Sequence, residues 1–320
     1  MANIDPIYDS PYLISPQILP DSTIYHSNYK FSPIEYSLYA QNKIELKDLI
    51  MNVGLRFDYF DSNGRILSDS SDPSIFNPIK PENRYHDNNN NGFQDPGESN
   101  ISASERLSYW YKKPSPKLMI SPRFGASFPF SDIGVIHFSY GHFFQVPRFE
   151  LLYHNSDFDL NQGTGNVGIV GNADLDPEKT VSYELGFKYQ LNESSSIDAT
   201  VYFRDIRSLT GTRTEEISIF GGASTYSKYE NSDFAFVKGL VLSMNYFDFK
   251  GLSLNMNYTL QQAKGTASSP SQAWSASQGG GLAETYMIPL DWDQRHTISM
   301  ILSYVQDSYG ISLIGTIGSG

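Results

Sequence analysis

The chain has 320 residues, no cysteine, a formal net charge of −12, and 14% aromatic residues, including 22 Tyr and 20 Phe. No cysteine excludes disulfide and thiol chemistry, the acidic balance with no basic stripe excludes a nucleic-acid partner, and the lack of a long apolar run excludes a transmembrane helix. A transmembrane β-barrel stays open, because its strands interleave polar with apolar residues and average to weak hydropathy.

The first ten residues, MANIDPIYDS, carry neither the basic start nor the apolar core of a secretory signal. Residues 1–32 read as the tail of another segment, so a chain open at both ends is expected. A first strand is expected over about 33–44, with a turn near Leu46-Lys47-Asp48. The return strand sets Leu49, Met51, Val53, Leu55, Phe57 and Tyr59 on one face and Asn52, Gly54, Arg56 and Asp58 on the other. Such period-two alternation marks a strand with one apolar and one polar face.

A long polar connection follows, over 61–117. It contains Asp87-Asn88-Asn89-Asn90-Asn91-Gly92-Phe93-Gln94-Asp95-Pro96-Gly97-Glu98, which fits D-x-[DN]-x-[DN]-G-x5-E at every defined position. Calcium takes hard oxygens from a tightly wound loop. Asp87, Asn89 and Asn91 offer side chains, Phe93 its carbonyl, Asp95 the ninth position and Glu98 a bidentate closure, and Gly92 permits the sharp turn. No helical pattern flanks the motif, so a bare structural calcium loop at 87–98 is expected, without catalysis.

Next comes a strand pair at about 117–128 and 135–144, joined by Phe130-Ser131-Asp132-Ile133. His137 and His142 lie on the second of these strands, five residues apart and hence on opposite faces, where they cannot share a metal. The connection 145–176 carries Glu150, Asp157, Asp159, Asp174 and Asp176 against the single cation Arg148. It reads as a solvated loop or as bait for a cationic or metal-chelate ligand.

The clearest hairpin spans 177–206. Val181, Tyr183, Leu185, Phe187 and Tyr189 alternate with polar residues, Asn192-Glu193-Ser194-Ser195 turns, and Ile197, Ala199, Val201 and Phe203 return. Folding about that turn sets Lys188 opposite Asp198 and Tyr183 opposite Phe203, both favourable cross-strand pairs. A fourth hairpin follows the connection 208–233. It uses Leu240, Leu242, Met244 and Tyr246, turns at Phe249-Lys250-Gly251, and returns on Leu252, Leu254, Met256, Tyr258 and Leu260. After the connection 262–293, a fifth begins over about 295–304 and turns at Gln306-Asp307-Ser308.

Short and long connections therefore alternate along the chain. Soluble sandwiches have no reason to gather every long loop at one end of their strands, whereas outer-membrane barrels have short periplasmic turns and long extracellular loops. The runs are also long enough to cross a bilayer core when tilted. The fold class is accordingly all-β: an antiparallel transmembrane barrel segment of about ten strands. On this reading Arg56, Asp58, Glu184, Lys188, Asp198 and Arg204 face the lumen and the apolar faces meet outer-membrane lipid. No nucleophile elbow or HExxH occurs, so no enzyme is expected. Asp291, Asp293 and Arg295, beside His296, read as a hydrogen-bonded rim where a strand re-enters the wall.

Three segments carry a family resemblance. Ser121-Pro122-Arg123-Phe124-Gly125, with residues 139–147 (SYGHFFQVP), resembles the mid-barrel of TonB-dependent outer-membrane receptors. Gly171-Asn172-Ala173-Asp174-Leu175-Asp176-Pro177-Glu178, leading into Tyr183-Glu184-Leu185-Gly186, resembles that family's GN.L.PE...YE.G signature, and residues 290–296 (LDWDQRH) its late-barrel re-entry. The likeness covers nearly the whole chain. It implies a place in a Gram-negative-type outer membrane and a 22-stranded barrel with a plugged lumen. It also implies uptake of a scarce ligand (metal chelate, vitamin, oligosaccharide or peptide) driven through the TonB complex. The segments lack a plug, a TonB box and a terminal aromatic strand, so the chain is expected to be a barrel portion. Its expected partners are lipid, the missing plug, the TonB complex and a surface lipoprotein. The alternatives are a passive or adhesive barrel without energy coupling, and a secreted soluble carbohydrate-binding β protein.

Overall fold

The structure, a computed structural model, describes residues 29–158, 160, 165–212, 216–248, 250–279 and 286–319. Residues 1–28 of the expected tail at 1–32, and Phe249 of the fourth turn, lie outside them.

The chain opens with the hairpin β1 (Ile34–Leu46) and β2 (Leu49–Asp61). The connection after it holds β3 (Ile66–Leu67), α1 (Pro81–Arg84), α2 (Ala103–Trp110) and β4 (Tyr111–Lys112), with β3 and β4 paired at its neck. β5 (Lys117–Ser131) and β6 (Gly134–Gln145) form the second hairpin. The next connection contains α3 (Phe149–Tyr153) and β7 (Gly165–Val170), before β8 (Glu178–Asn192) and β9 (Ser195–Thr212). β10 (Ile217–Ile219) leads into the long β11 (Ser224–Phe247), which turns into β12 (Leu252–Gly265). α4 (Gln272–Gln278) and β13 (Ile288–Pro289) precede the last hairpin, β14 (His296–Gln306) and β15 (Tyr309–Ser319).

Ten of these strands form one wall in the order β1-β2-β5-β6-β8-β9-β11-β12-β14-β15. Every neighbour along it is antiparallel, and β1 and β15 are its edges among the described residues. The register pairs Lys188 with Asp198 and Tyr183 with Phe203, as alternation about the turn requires. Four of the five hairpins turn in two residues, at Lys47–Asp48, Asp132–Ile133, Glu193–Ser194 and Asp307–Ser308. All short turns fall at one end of the wall.

Burial in the wall is inverted relative to a water-soluble sheet. Along β5, Leu118 is 71% and Ile120 50% exposed, while Ser121, on the opposite face, is 2% exposed. Leu38, Leu185, Val201 and Ile317 are likewise bare, and Asp58 and Ser182 are buried. An apolar patch of this extent is far larger than a soluble monomer presents to water. Polar inside and apolar outside is the arrangement of a barrel wall in hydrocarbon.

The long connections correct the expectation of polar, structureless loops. Residues 208–212 and 224–233 are strand, because β9 and β11 continue well beyond the wall. The connections also pack on one another. Leu67, Ile75, Trp110, Phe158, Val170, Ile219 and Tyr226 form one core drawn from three of them. A second core, with Leu151, Leu152, Tyr153, Ala173 and Leu175, seats the cap on Phe60 and Met119 at the top of the wall. α2 is a further correction, since the motif at 87–98 is flanked by helices after all. Its signal is a capping box: Ser102 accepts a hydrogen bond from Glu105 N three residues on.

Candidate functional site

The six polar residues assigned to the inner face all lie on one face of the wall. Arg56 Nε donates to both carboxylate oxygens of Asp58 at 2.9 Å, and Ser37 donates to the same carboxylate at 2.6 Å. Arg204 lies 3.6 Å from Glu184, which also accepts from Ser139. Thr200 donates to Asp198 at 3.0 Å, and Tyr202 to Gln261 at 2.8 Å. Two glycines let large rings lie flat on this face. His137 occupies the place where Gly186 would carry a side chain, and Tyr202 covers Gly239. His142 sits on the other face, bonded to Tyr140 at 2.6 Å, so the two histidines are indeed apart.

Polar anchors hold the cap above this face. Arg106, 6% exposed, donates to three carbonyls: Ile75 at 2.7 Å, Ile101 at 2.6 Å and Asn83 at 3.1 Å. Asp72, 1% exposed, accepts from Ile79 N, Lys80 N and Asn83 Nδ2. Tyr226 donates to Ser70 O at 2.7 Å, tying β11 to the first long connection. Hydrogen bonds from Lys80 and Ser71 pull the Asp69 carboxyl down to about 2, and burial pushes the Tyr153 hydroxyl, which donates to Ser62 O, up to about 12.

The acids of residues 145–176 are not free bait. Glu150 pairs with Arg148 at 3.0 Å and Asp157 with Arg65, while Lys117 holds both Asp174 and Asp176 at 2.9 Å. Asp159 lies outside the described residues. The GN signature acquires a structural reason here. Gly171 N donates to His154 O and Asn172 N to Leu151 O, which presses the turn onto α3. A Cβ on Gly171 would stand 2.6 Å from His154 N and 2.9 Å from two carbonyls. Asn172 then reaches β11 through Tyr229 O at 2.9 Å. Gly171→Ala is therefore expected to loosen the cap by about 1–3 kcal/mol, read as faster amide exchange over 149–176 with the wall unchanged.

At the re-entry, Asp293 accepts from Ala263 N at 2.7 Å and from Arg295 at 2.9 Å, and Leu290 packs on Ala235, Val237 and Ala263. Asp291 N donates to Ser268 Oγ, and His296 bonds Tyr258 at 2.9 Å. The rim reading of Asp293 and Arg295 agrees with this geometry.

The loop 87–98 is closed at its neck by Tyr85 opposite Asn100 and by Ile101 N donating to Arg84 O. Asp87 accepts from Asn91 N and Gly92 N, Asn91 Oδ1 from Phe93 N, and Glu98 from Asn88 N and Asp95 N. Gly92 takes φ +78°, which suits glycine. The amide nitrogens of Asn89 and Asn91 point at Asp95 Oδ2, at 2.7 and 2.8 Å. Among the described residues, no three His, Cys, Asp or Glu side chains converge to hold a metal. Any ion in this loop would thus draw largely on Asn and main-chain oxygens.

A family profile described as "TonB dependent receptor-like, beta-barrel" matches residues 5–318. No curated protein matches the chain. Among solved structures, the FrpB iron transporter from Neisseria meningitidis is similar at 14% identity and a TM-score of 0.52, over 90% of this chain and 34% of that one. The siderophore receptor PirA from Acinetobacter baumannii is similar at 14% identity and TM-score 0.50, over 89% and 42%. The copper transporter OprC gives 13% and 0.50, over 87% and 34%. At these identities the likeness is one of fold, and the chain spans about a third of the length of the first of these structures.

Proposed function

The chain belongs to the TonB-dependent receptor-like β-barrel family, whose members lie in the Gram-negative outer membrane, and from that premise we propose that it forms part of the wall and outer cap of an energy-coupled importer. The observation that carries this reading is the pairing of an inside-out wall with long loops packed at one end only. On it, Arg56, Asp58, Glu184, Lys188, Asp198 and Arg204 line the lumen against a plug. The cargo is a scarce ligand, and metal chelates such as the similar structures' names indicate stand beside vitamins, oligosaccharides and peptides. A surface lipoprotein partner would favour the last two. The outer-membrane family sets aside a soluble secreted carbohydrate binder. A passive or adhesive barrel is separated by one experiment. The complete receptor in detergent is expected to retain the periplasmic domain of TonB on an affinity column, and failure to retain it would remove the energy coupling.

The wound loop at 87–98 supports a second, local role as a structural calcium site. The Asn89 and Asn91 amide groups both reach Asp95 Oδ2, and half a turn about their terminal torsions turns oxygen to that side instead. With no three carboxylates converging and no preformed cage, a dissociation constant of about 10⁻⁴–10⁻³ M is expected. Titration calorimetry on the complete protein should show calcium heat that Asp87→Ala or Glu98→Ala abolishes, with faster exchange confined to residues 80–105. No heat in the unmodified protein would sink the assignment.

A further inference from the structure

The outward, apolar face of the wall changes character at its long-loop end, in one sector. Lys179 is the second residue of β8, and Lys264 the next-to-last of β12. Arg207 stands opposite Lys179, and Lys238 stands opposite Gln262, two residues from Lys264. By alternation all four share the face of Val181, Phe203, Leu240 and Leu260. Side-chain contacts agree. Lys179 Nζ lies 5.9 Å from the centre of the Phe144 ring, and the Arg207 guanidinium 5.2 Å from that of Phe234. On β1, β2, β5, β6, β14 and β15 this face carries no Lys or Arg among the described residues.

These charges are poorly compensated. Asp205, the acid beside them, pairs with Arg207 at 2.7 Å. Lys179, Lys238 and Lys264 make no ion pair or hydrogen bond among the described residues. Like charges directly opposite on antiparallel strands repel, as Lys179 and Arg207 do. The rows beneath them are Tyr183 with Phe203, then Leu185 with Val201, all bare. The cations therefore stand just above an aromatic row at the edge of hydrocarbon, where long stems lie on apolar surface and the charged heads reach the lipid head groups. In a chain of net charge −12, such a local excess of cations calls for anions from outside.

We propose that this sector binds the phosphate groups of outer-leaflet lipid, with the acyl chains running down the apolar rows beneath. Lys179 with Arg207 forms one seat. Lys238 and Lys264, diagonal neighbours about 7–8 Å apart, form the second. Ammonium and guanidinium groups both make charge-assisted hydrogen bonds to phosphate oxygens. The two seats are separated by two inter-strand spacings, about 10 Å across the strands. Between them Phe203 and Phe236 stack at 6.4 Å and give an apolar floor. That layout suits a glycolipid head group bearing two phosphates, and a lone phosphate ion would leave one seat unfilled. The proposal concerns the outside of the wall, and it holds whether or not the lumen is coupled to energy.

The test is native mass spectrometry of the complete receptor in an uncharged detergent, titrated with diphosphoryl lipid A and with the same lipid dephosphorylated. The phosphorylated lipid is expected to bind at least about tenfold more tightly. Lys179→Gln, Arg207→Gln, Lys238→Gln and Lys264→Gln together are expected to erase that preference, and either pair alone to reduce it. Lys188→Gln with Arg204→Gln, which takes two cations from the opposite face, is expected to leave it intact. Unchanged heat-modifiable migration shows that each variant is folded. Equal binding of the two lipids overturns the proposal. So does a preference that survives the substitutions on the outer face, or one lost with the pair on the opposite face. Displacement of the lipid by millimolar inorganic phosphate assigns the cations to a soluble anion and overturns the lipid.

Discussion

Leu185→Arg is expected to cost the folded protein about 2–4 kcal/mol, the penalty of a cation near the middle of a barrel's lipid-facing belt. Leu185 sits mid-strand, 51% exposed, in register with Phe138 on one side and Val201 on the other. Neighbouring side chains on that face are apolar, so an arginine there has lipid and no partner. Lys188 points to the opposite face, and Lys188→Gln is expected to stay within about 0.5 kcal/mol. Urea unfolding of the complete receptor in phosphocholine bilayers, followed by heat-modifiable migration, measures both. A Leu185→Arg protein of undiminished stability would show that water, not hydrocarbon, covers this face.

Arg106→Met should release the cap while leaving the wall folded. The guanidinium serves three carbonyls from separate stretches of the connection between β2 and β5, and methionine satisfies none of them. Hydrogen bonds to a charged group contribute about 1.5–3 kcal/mol each, so the loss is expected to be about 3 kcal/mol or more. A surface segment of this size has little stability to spare. Residues 61–117 should become sensitive to protease on whole cells, with rapid amide exchange at Ile75 and Ile101 and unchanged exchange in β8 and β9. Arg106→Lys should fall between, since one ammonium reaches fewer of the three carbonyls. An unaltered cleavage pattern would mean that the hydrophobic core around Trp110 holds the cap unaided.

The wall was legible because alternation is local. Tyr183, Leu185 and Phe187 share a face for any strand of period two, and the short turn at Glu193–Ser194 sets which residue meets which across the hairpin. The membrane reading came from the same source, since loop length and strand length are both counted along the chain. Strand ends were less legible. β9 and β11 run on into what reads as polar loop, because residues 224–233 are held by β7, β9 and β10 and not by an apolar stripe of their own. α2 was readable from Ser102 and Glu105, and was hidden by the polar composition around it.

The candidate sites divide in the same way. The motif at 87–98 and the GN and DWDQRH segments stand out by residue type. Their contacts do not: Gly171 is required by Leu152 and His154 at the end of α3, nineteen and seventeen residues earlier, and Asp293 by the amide of Ala263. Arg106, Lys238 and Lys264 carry no motif. Sequence alone determined the alternating wall, its polar and apolar faces, and the end at which the loops gather, because each follows from periodicity and spacing. Tertiary structure alone decided that those loops form a packed cap, that Glu150, Asp157, Asp174 and Asp176 are ion-paired, and that Glu178 and Asp233 share a cavity. Those outcomes depend on side chains brought together from distant parts of the chain, where burial and charge balance are set by neighbours that no local pattern names.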